Sequence, residues 1–247
     1  MSAHPLWHFI QSAHAGATFV DLTHAFHPGQ PKFAAFPDEE RSLVFSHADA
    51  AFQVDRYALV GQWGTHVDPP LHFVKGGRSV DEIPVAEMIR PLCILDISAR
   101  VAGNADAVPG LDDLAAHEAR NGRVPEGAFV ALRTGWSARW PDATRFANKD
   151  AAGISHTPGW SLPVLRALFE ERGVVAVGHE QIDTDPGVAT SAGSFALEDY
   201  VLRRDRWQIE LLTNLEKIPE AGALIAVMWP KAKGGSGFPA RAMAIHL

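Results

Sequence analysis

The sequence predicts a single α/β domain, residues 1–247, with a mixed β-sheet core and flanking helices. Apolar runs of strand length intermix with helical segments along the whole chain, and no linker or internal repeat divides it. The strands are not cleanly separated by helices, which favours a mixed sheet over a regular doubly wound one. With 247 residues, 47% of them hydrophobic, the chain is long enough to bury a sizeable core.

Periodicity and end signals predict four helices. The first, LWHFIQSAHAG, ends at Gly16, and LDDLAAHEARNG begins with acidic residues and ends at Gly122. The clearest helix is SLPVLRALFEERG, because Ser161 is a candidate N-cap, a proline stands in the first turn, and Gly173 follows the end. VDEIPVAEMI, residues 80–89, indicates a short helix.

Short apolar or alternating runs predict the strands. VDRYALVGQWGTHVD, residues 54–68, alternates and is expected to be extended throughout. A segment rich in proline and aromatic residues, HAFHPGQPKFAAFPDEE (24–40), is too irregular for a helix and is typical of a binding loop. The other strands are predicted at FVDL (19–22), LCILDI (92–97), AFVALRT (128–134), VVAVG (174–178), IELL (209–212), ALIAVMW (223–229) and RAMAIHL (241–247).

Charge and residue counts argue against several classes of protein. Lys and Arg number 22 against 29 for Asp and Glu, and a net charge of −7 does not suit a nucleic-acid-binding surface. No apolar stretch approaches the ~20 residues of a membrane span, and the first residues lack the pattern of a signal peptide. The single cysteine, Cys93, excludes an internal disulfide, and a cytoplasmic location is expected.

The most informative stretch is QWGTHVDPPLHF, residues 62–73, which sets two histidines and an aspartate among prolines. In a strand, side chains two apart share a face. One face then carries three polar side chains and a glycine, namely Gln62, Gly64, His66 and Asp68. The opposite face carries a tryptophan and two β-branched residues that suit a core. We expect Gly64 to leave room for an ion or a substrate beside the backbone.

Neutral imidazole and carboxylate are ligands for zinc, manganese or iron, so His66 and Asp68 are candidate metal ligands. Catalytic zinc sites typically have three protein ligands, and the others would come from elsewhere in the chain. Pro69 and Pro70 end the strand and turn the chain, which can bring His72 back to the same site as a ligand or a general base. The alternative interpretation is a buried strand whose polar residues hydrogen-bond locally, and spacing alone does not decide between them.

A second polar group follows a predicted strand in GHEQIDTDPG, residues 178–187. His179 or Glu180 there could reach a site at the strand ends, whereas a solvated turn shaped by DTDPG is the competing interpretation. Loop histidines elsewhere are expected to be hydrogen-bonding residues and not ligands: His24, His27 and His156. Nucleophilic hydrolases are disfavoured, because no GxSxG elbow occurs and the thiol lies in an apolar strand. The HExxH motif of zinc proteases is absent as well.

The central motif resembles the signature of the metal-dependent cyclase family, in which a histidine, any residue, GTH, any residue, Asp, then Pro and a further His recur. That family includes bacterial kynurenine formamidases and isatin hydrolases. The likeness extends over nearly the whole chain, through FVDLTHAFHPGQP, LRTGW, QIELLTNLEKIP and PKAKGGSGFPARAMAI. It implies the β/β/α fold of the kynurenine formamidase and cyclase proteins, and a homodimer or higher oligomer.

The resemblance also implies roles for particular residues. His66 and Asp68 match metal ligands, and His72 matches a histidine that shuttles a proton. Glu210 matches a carboxylate that reaches the metal from a distant strand, and Phe33 lies near a position where relatives place an aromatic ring against the substrate.

Two departures from the family pattern bear on the metal. Gln62 stands where the family has a histidine ligand, and its amide oxygen would be a weaker ligand. Glu198 stands where formamidases have a histidine ligand of a second zinc. We therefore expect one divalent ion per chain, zinc or manganese, with His179 and Glu198 completing a second site or contacting the ligands.

The expected function is metal-dependent hydrolysis of a small, aromatic or cyclic amide, with His72 as the general base and acid. The alternative is a small-molecule binding protein whose altered ligand set no longer activates water. A purely structural protein would leave the cluster of histidine and carboxylate unexplained.

Overall fold

The computed structural model describes residues 4–247. Its strands are β1 (Thr18–Asp21), β2 (Glu40–Phe45), β3 (Val54–Ala58), β4 (His66–Asp68), β5 (Ile89–Asp96), β6 (Phe129–Arg133), β7 (Ala176–His179), β8 (Trp207–Glu210), β9 (Ala223–Met228), β10 (Phe238–Pro239) and β11 (Arg241–His246). Its α-helices are α1 (Pro5–Gly16), α2 (Ser98–Gly103), α3 (Leu111–Asn121), α4 (Ala143–Ala147), α5 (Leu162–Arg166), α6 (Gly187–Ser191) and α7 (Ala196–Arg203).

Nine of these strands form one sheet in the order β1-β11-β9-β5-β6-β7-β8-β4-β10. The four central strands, β5 to β8, are parallel, and the strands on both sides of them pair antiparallel. This confirms the predicted mixed sheet. β2 and β3 form a separate two-stranded hairpin.

The large sheet curls back on itself because one stretch of chain reaches both of its ends. β11 pairs with β9 and β1, and β10, separated from it only by Ala240, pairs with β4 at the opposite end. A bridge between Thr23 and Leu212 spans the same gap. Apolar side chains from strands around the sheet fill the enclosed core, among them Val67, Ile94, Phe129, Ile209, Val227 and Ala242.

The convex face of the sheet packs against helices. Buried side chains of α3, α5 and α7 form a second core with the outward-facing residues of β5, β6 and β7, including Leu114, Val164, Val201, Leu95, Val130 and Val177. Each fully buried side chain of this size contributes about 1.5–3 kcal/mol. Cys93 belongs to this layer, where burial raises the pKa of its thiol to about 11. A thiol so disfavoured as a thiolate is a packing group.

The predicted extended segment 54–68 is divided, because only its two ends are strands. Between β3 and β4 the chain approaches other backbone and side chains at two glycines. A Cβ at Gly61 would lie 2.5 Å from the carbonyl oxygen of Gly237, and one at Gly64 would lie 2.9 Å from Cβ of Phe26. Gly64 also has φ +62°, so the expectation that it leaves room for an ion was wrong. Phe26 occupies that side of the backbone.

Two helix predictions also need correction. Residues 80–89 contain only a 3-10 turn at Val85–Glu87, because Ile89 already begins β5. The helix at 161–173 is α5 followed by a π-helical turn; Ser161 is its N-cap residue, as predicted, but the side chain makes no capping hydrogen bond. The Ser161 hydroxyl instead donates a hydrogen bond of 2.6 Å to the carbonyl of Pro109. Among the described residues, no helix has both the length and the apolar character needed to cross a bilayer.

Candidate metal centre

The centre is built on the antiparallel pair of β4 and β8. His66 lies opposite Glu210, and Asp68 lies opposite Gln208. Because side chains alternate along a strand, all four project from the same face. The residues between them, Val67 and Ile209, project into the enclosed core. The four polar side chains are nevertheless buried, since α7 and the turn that carries His72 cover this face.

His66 is oriented so that a lone pair faces the carboxylates. Its Nδ1 lies 2.8 Å from the carbonyl oxygen of Gly64, and because a carbonyl only accepts hydrogen bonds, Nδ1 carries the proton. Its Nε2 lies 3.4 Å from Asp68 Oδ2 and 3.5 Å from Glu210 Oε2. Among the described residues this buried nitrogen has no hydrogen-bond partner. A lone pair facing two carboxylates needs a cation between them, and this donor set fits a divalent metal.

The electrostatics of the cluster lead to the same conclusion. Burial lowers the pKa of His66, but the neighbouring Asp68 carboxylate outweighs it and raises that pKa above its ordinary value. Burial and the charge of the other carboxylates raise the pKa of Glu198 and of Glu210 well above the usual range. These raised pKa values favour protons on the cluster when no metal is bound, and a bound cation would compete with those protons.

A second group of candidate ligands shares Asp68 with the first. His72 ends a 3-10 turn, Pro70–His72, and its Nε2 lies 3.7 Å from Glu198 Oε1 and 4.0 Å from Asp68 Oδ1. Glu198 lies in the first turn of α7, where Asp185 accepts hydrogen bonds from the backbone N–H groups of Leu197 and Glu198. Ligand atoms of each group lie within 4.8 Å of one another.

Gln208 was missed by the sequence analysis, although it contacts three of the carboxylates. Its Nε2 lies 3.0 Å from Glu210 Oε1, 3.2 Å from Glu198 Oε1 and 3.4 Å from Asp68 Oδ2. Its Oε1 accepts a hydrogen bond of 2.6 Å from the Thr184 hydroxyl. Alternation within QIE, which puts this amide on the same strand face as Glu210, was the signal that could have identified it.

Gln62 reaches the centre as a hydrogen-bond donor, and its role as a metal ligand stays a prediction. Its Nε2 donates to the carbonyl of Ser236 at 2.8 Å, which identifies that atom as the amide nitrogen. The same nitrogen lies 3.3 Å from Asp68 Oδ1 and 3.3 Å from His72 Nδ1. An amide N–H group offers no lone pair to a metal, so this side chain orients its two neighbours.

Residues 178–187 were predicted either to reach the site or to form a solvated turn, and each interpretation holds in part. Nε2 of His179 lies 3.4 Å from Glu210 Oε1, so this histidine does reach the centre. Glu180 does not: its carboxylate accepts hydrogen bonds from the backbone of Thr134 and Gly135 and from the Ser137 hydroxyl. The segment is therefore an ordered, buried turn that also holds the neighbouring loop.

The loop histidines lie outside both ligand groups. His24 stacks on Trp140 with ring centroids 4.2 Å apart, and Nδ1 of His27 lies 2.9 Å from its neighbour's carbonyl oxygen. Nδ1 of His156 lies 2.7 Å from Asp106 Oδ2. Each has the local bonding or stacking role that its loop position predicted.

An aromatic cavity of about 270 Å³ opens directly beside the centre. His66, His72, Glu198 and Glu210 form its polar end. Phe33, which was predicted to contact the substrate, lines it with three further phenylalanines that the sequence analysis did not single out: Phe36, Phe73 and Phe195. Their rings are 5.2–6.4 Å apart between neighbouring centroids, so they form a continuous apolar wall.

Comparison with known proteins relates the chain to one family. Residues 20–186 match the model of the family described as "Putative cyclase". An isatin hydrolase of Roseibium aggregatum is 29% identical over 240 residues, covering 92% of this chain and 90% of the relative. Isatin hydrolase A from Ralstonia solanacearum superposes with a TM-score of 0.90 at 32% identity over all of both chains. An isatin hydrolase bound to the product analogue thioisatinate superposes with a TM-score of 0.89 at 27% identity, covering 99% of each chain.

Proposed function

The chain belongs to the cyclase family, and from that premise we propose that it is a metal-dependent hydrolase of small aromatic or cyclic amides. It would cleave carbon–nitrogen bonds other than peptide bonds. One observation carries the proposal: the unpaired Nε2 of His66 faces two buried carboxylates at the end of an aromatic cavity. The isatin hydrolase relatives support this class of substrate, since isatin is a cyclic aromatic amide.

One divalent ion per chain, zinc or manganese, would be held by His66, Asp68 and Glu210. Two of these three ligands are carboxylates, which shifts the preference towards manganese compared with an all-histidine site. Gln208 would donate to Glu210 Oε1 and Gln62 to Asp68 Oδ1, the carboxylate oxygens that do not face His66 Nε2. Such contacts orient ligands and tune their basicity.

In this mechanism the chain's own residues position the amide and transfer protons. A bound divalent ion supplies Lewis acidity, which lowers the pKa of water and polarises a carbonyl. His72 would take the proton of the attacking water as the oxygen adds to the carbonyl carbon. It would then return that proton to the nitrogen as the carbon–nitrogen bond breaks. The Gln62 amide nitrogen, 3.3 Å from His72 Nδ1, would limit rotation of the ring.

The phenylalanine wall would bind the substrate ring. Phe33 and Phe36 come from the proline-rich loop, Phe73 follows His72, and Phe195 precedes α7. Rings contributed by separate segments of the chain form a slot that suits a flat aromatic body better than a flexible chain. The scissile carbonyl would then point to the polar end of the cavity.

We also propose that the protein is a homo-oligomer, a dimer or a tetramer, as the resemblance implies. Exposed large apolar side chains concentrate in its first 58 residues. Leu6 and Trp7 on α1 are 68% and 70% exposed, and the β2–β3 hairpin exposes Leu43, Phe45 and Tyr57. Exposed apolar side chains in such number are typical of an interface between subunits. The cytoplasmic location expected from the sequence stays a prediction.

Two measurements on untagged protein, purified without added metal, test the proposed function. Elemental mass spectrometry should find one zinc or manganese per chain. The loaded protein should then hydrolyse isatin, an N-formyl arylamine or a cyclic imide. Absence of metal after dialysis against both ions would overturn the proposal. Full metal loading without turnover of any of these amides would favour the binding-protein alternative.

A further inference from the structure

A second cavity adjoins the aromatic one. It has a volume of about 320 Å³ and shares four lining residues with the first: Lys32, Phe33, Ile182 and Asp183. Ligand-binding cavities generally measure about 300–1,000 Å³. The aromatic cavity alone is at the lower limit of that range, whereas the two together lie well inside it.

The second cavity differs in chemistry from the first. Beyond the shared wall it is lined by four hydroxyl side chains and one ammonium, namely Ser155, Thr157, Thr190, Ser191 and Lys149. Four phenylalanines line the first cavity. Only two line the second: the shared Phe33, and Phe146. A ligand that extends from one cavity into the other would pass from an apolar to a polar environment.

The polar groups of this cavity retain capacity to bind a ligand. Ser191 Oγ accepts a hydrogen bond of 2.9 Å from the backbone N–H of Ser155, which leaves its own proton to donate. The Thr190 hydroxyl donates to the carbonyl of Gly187 and keeps its lone pairs. Within residues 4–247 the Lys149 ammonium forms no ion pair. The ammonium of Lys32, by contrast, lies 3.4 Å from Asp38 Oδ1.

The wall that carries these groups is held in place before any ligand binds. Lys149 and Ser155 form an antiparallel bridge across a tight turn, in which Asp150 Oδ1 accepts from the N–H groups of Ala152 and Ile154. At the base of this turn, the Asn148 side-chain amide donates a hydrogen bond of 2.6 Å to the carbonyl of His156. A preformed wall avoids the entropic cost of ordering a loop on binding.

We propose that the second cavity is a subsite for an anionic substituent, a carboxylate or a sulfonate, on the ring of the amide substrate. This inference rests on the proposed hydrolase function. Lys149 would pair with the anion, and the Ser and Thr hydroxyls would donate hydrogen bonds to it. Lys149 lines only the second cavity, whereas Asp183 lies in the wall shared by both, so the anion would be placed at the Lys149 side. The hydrolysed bond would stay at the metal end of the first cavity.

Steady-state kinetics with charged and uncharged isatins test the subsite. The probes are isatin, isatin-5-sulfonate and isatin-7-carboxylate, and the variant is Lys149→Met in the metal-loaded protein. At least one anionic isatin should have a KM several-fold below that of isatin. Lys149→Met should raise the KM of that isatin about tenfold, as expected for one charge-assisted hydrogen bond, with kcat unchanged. The constants for isatin itself should not change.

Lys217→Met is the matched control, because Lys217 is an exposed lysine on another segment that lines neither cavity. It should leave every KM unchanged. The subsite is refuted if Lys149→Met changes all three KM values equally or none of them, or if the wild type prefers isatin. Should no isatin be turned over, the N-formyl arylamine and the cyclic imide still decide the proposed function. Calorimetric affinities of the same isatins for the loaded wild type and Lys149→Met would then give the same comparison for the subsite.

Discussion

The indole Nε1 of Trp160 lies 3.3 Å from Nδ1 of His179, and both side chains are completely buried. An indole N–H only donates, so Nδ1 of His179 accepts and the proton of the neutral ring is on Nε2. Burial lowers the pKa of His179 to about 3, so the ring is neutral. Its Nε2 lies 3.4 Å from Glu210 Oε1, in contact but without the geometry of a hydrogen bond. His66 has the opposite tautomer, and this difference separates a metal ligand from a residue that orients one.

Removing the Trp160 N–H should weaken metal binding although Trp160 is no ligand. Trp160→Phe frees His179 to rotate or change tautomer beside Glu210, which its Nε2 contacts. We expect the metal dissociation constant to rise about tenfold, in line with other residues that support ligands. A competitive chelator titration measures it.

Trp136→Phe is the control for that variant, because Trp136 is also buried and donates its indole N–H to a backbone carbonyl, that of Phe146. Both variants should lower the melting temperature, whereas only Trp160→Phe should lower metal affinity. Equal metal affinities in the two variants would contradict the orienting role of His179.

Replacing His72 should separate proton transfer from metal binding. In His72→Ala we expect metal content to stay at the wild-type level, while kcat falls by about 10²–10⁴, the usual contribution of a general base. Elemental mass spectrometry and turnover of isatin, measured on the same preparation, provide both values. Loss of the metal together with the activity would instead assign His72 to the ligand set with Asp68 and Glu198.

The role of Gln62 can be tested by a substitution that keeps its size. Gln62→Leu removes the N–H donor to Asp68 and His72 without removing any lone pair from the metal. We expect metal affinity within about twofold of the wild type and kcat reduced about tenfold, since one hydrogen bond near the base is lost. A fall in metal affinity as large as that of Asp68→Asn would mean that the amide oxygen is a ligand after all.

The metal-free protein should lose stability as the pH rises from about 6.5 through 7, the folded-state pKa of Asp183. Burial raises the pKa of Asp183 to about 7, and the pKa values of Glu198, Glu210 and His66 are also raised. Groups with a raised folded-state pKa stabilise the fold while protonated, and that stability is lost as the pH rises through the folded value. Burial lowers the pKa values of His24 and His179 from 6.5. Their titration therefore changes the stability only below about pH 6.5 and does not oppose this trend.

Urea unfolding of chelator-treated protein at several pH values measures this slope. Glu198→Gln should flatten it by up to about 1.4 kcal/mol per pH unit, the value for one proton, while the exposed Glu216→Gln should not. Added metal should stabilise the protein more at high pH, because binding displaces the protons. A metal-free protein whose stability rises over this interval would contradict the pKa directions.

Local sequence was sufficient for the central motif and for much of the fold. Alternation in QWGTHVDPPLHF and the chemistry of imidazole and carboxylate pointed to His66 and Asp68, and the prolines after them to the turn that returns His72. These residues lie within one short stretch, so backbone periodicity alone relates them in space. The mixed character of the sheet followed similarly from the order of strand and helix segments.

Only the tertiary structure decided which distant side chains join that motif and in what role. Glu198, Gln208 and His179 lie on α7, β8 and β7, more than a hundred residues away along the chain. Strand register and the packing of α7 bring them together, and no local pattern specifies either. The roles of Gln62 and His179 depended on single hydrogen bonds, to Ser236 and from Trp160. A residue type states what a side chain can donate or accept, whereas its folded neighbours determine which of its atoms faces the metal.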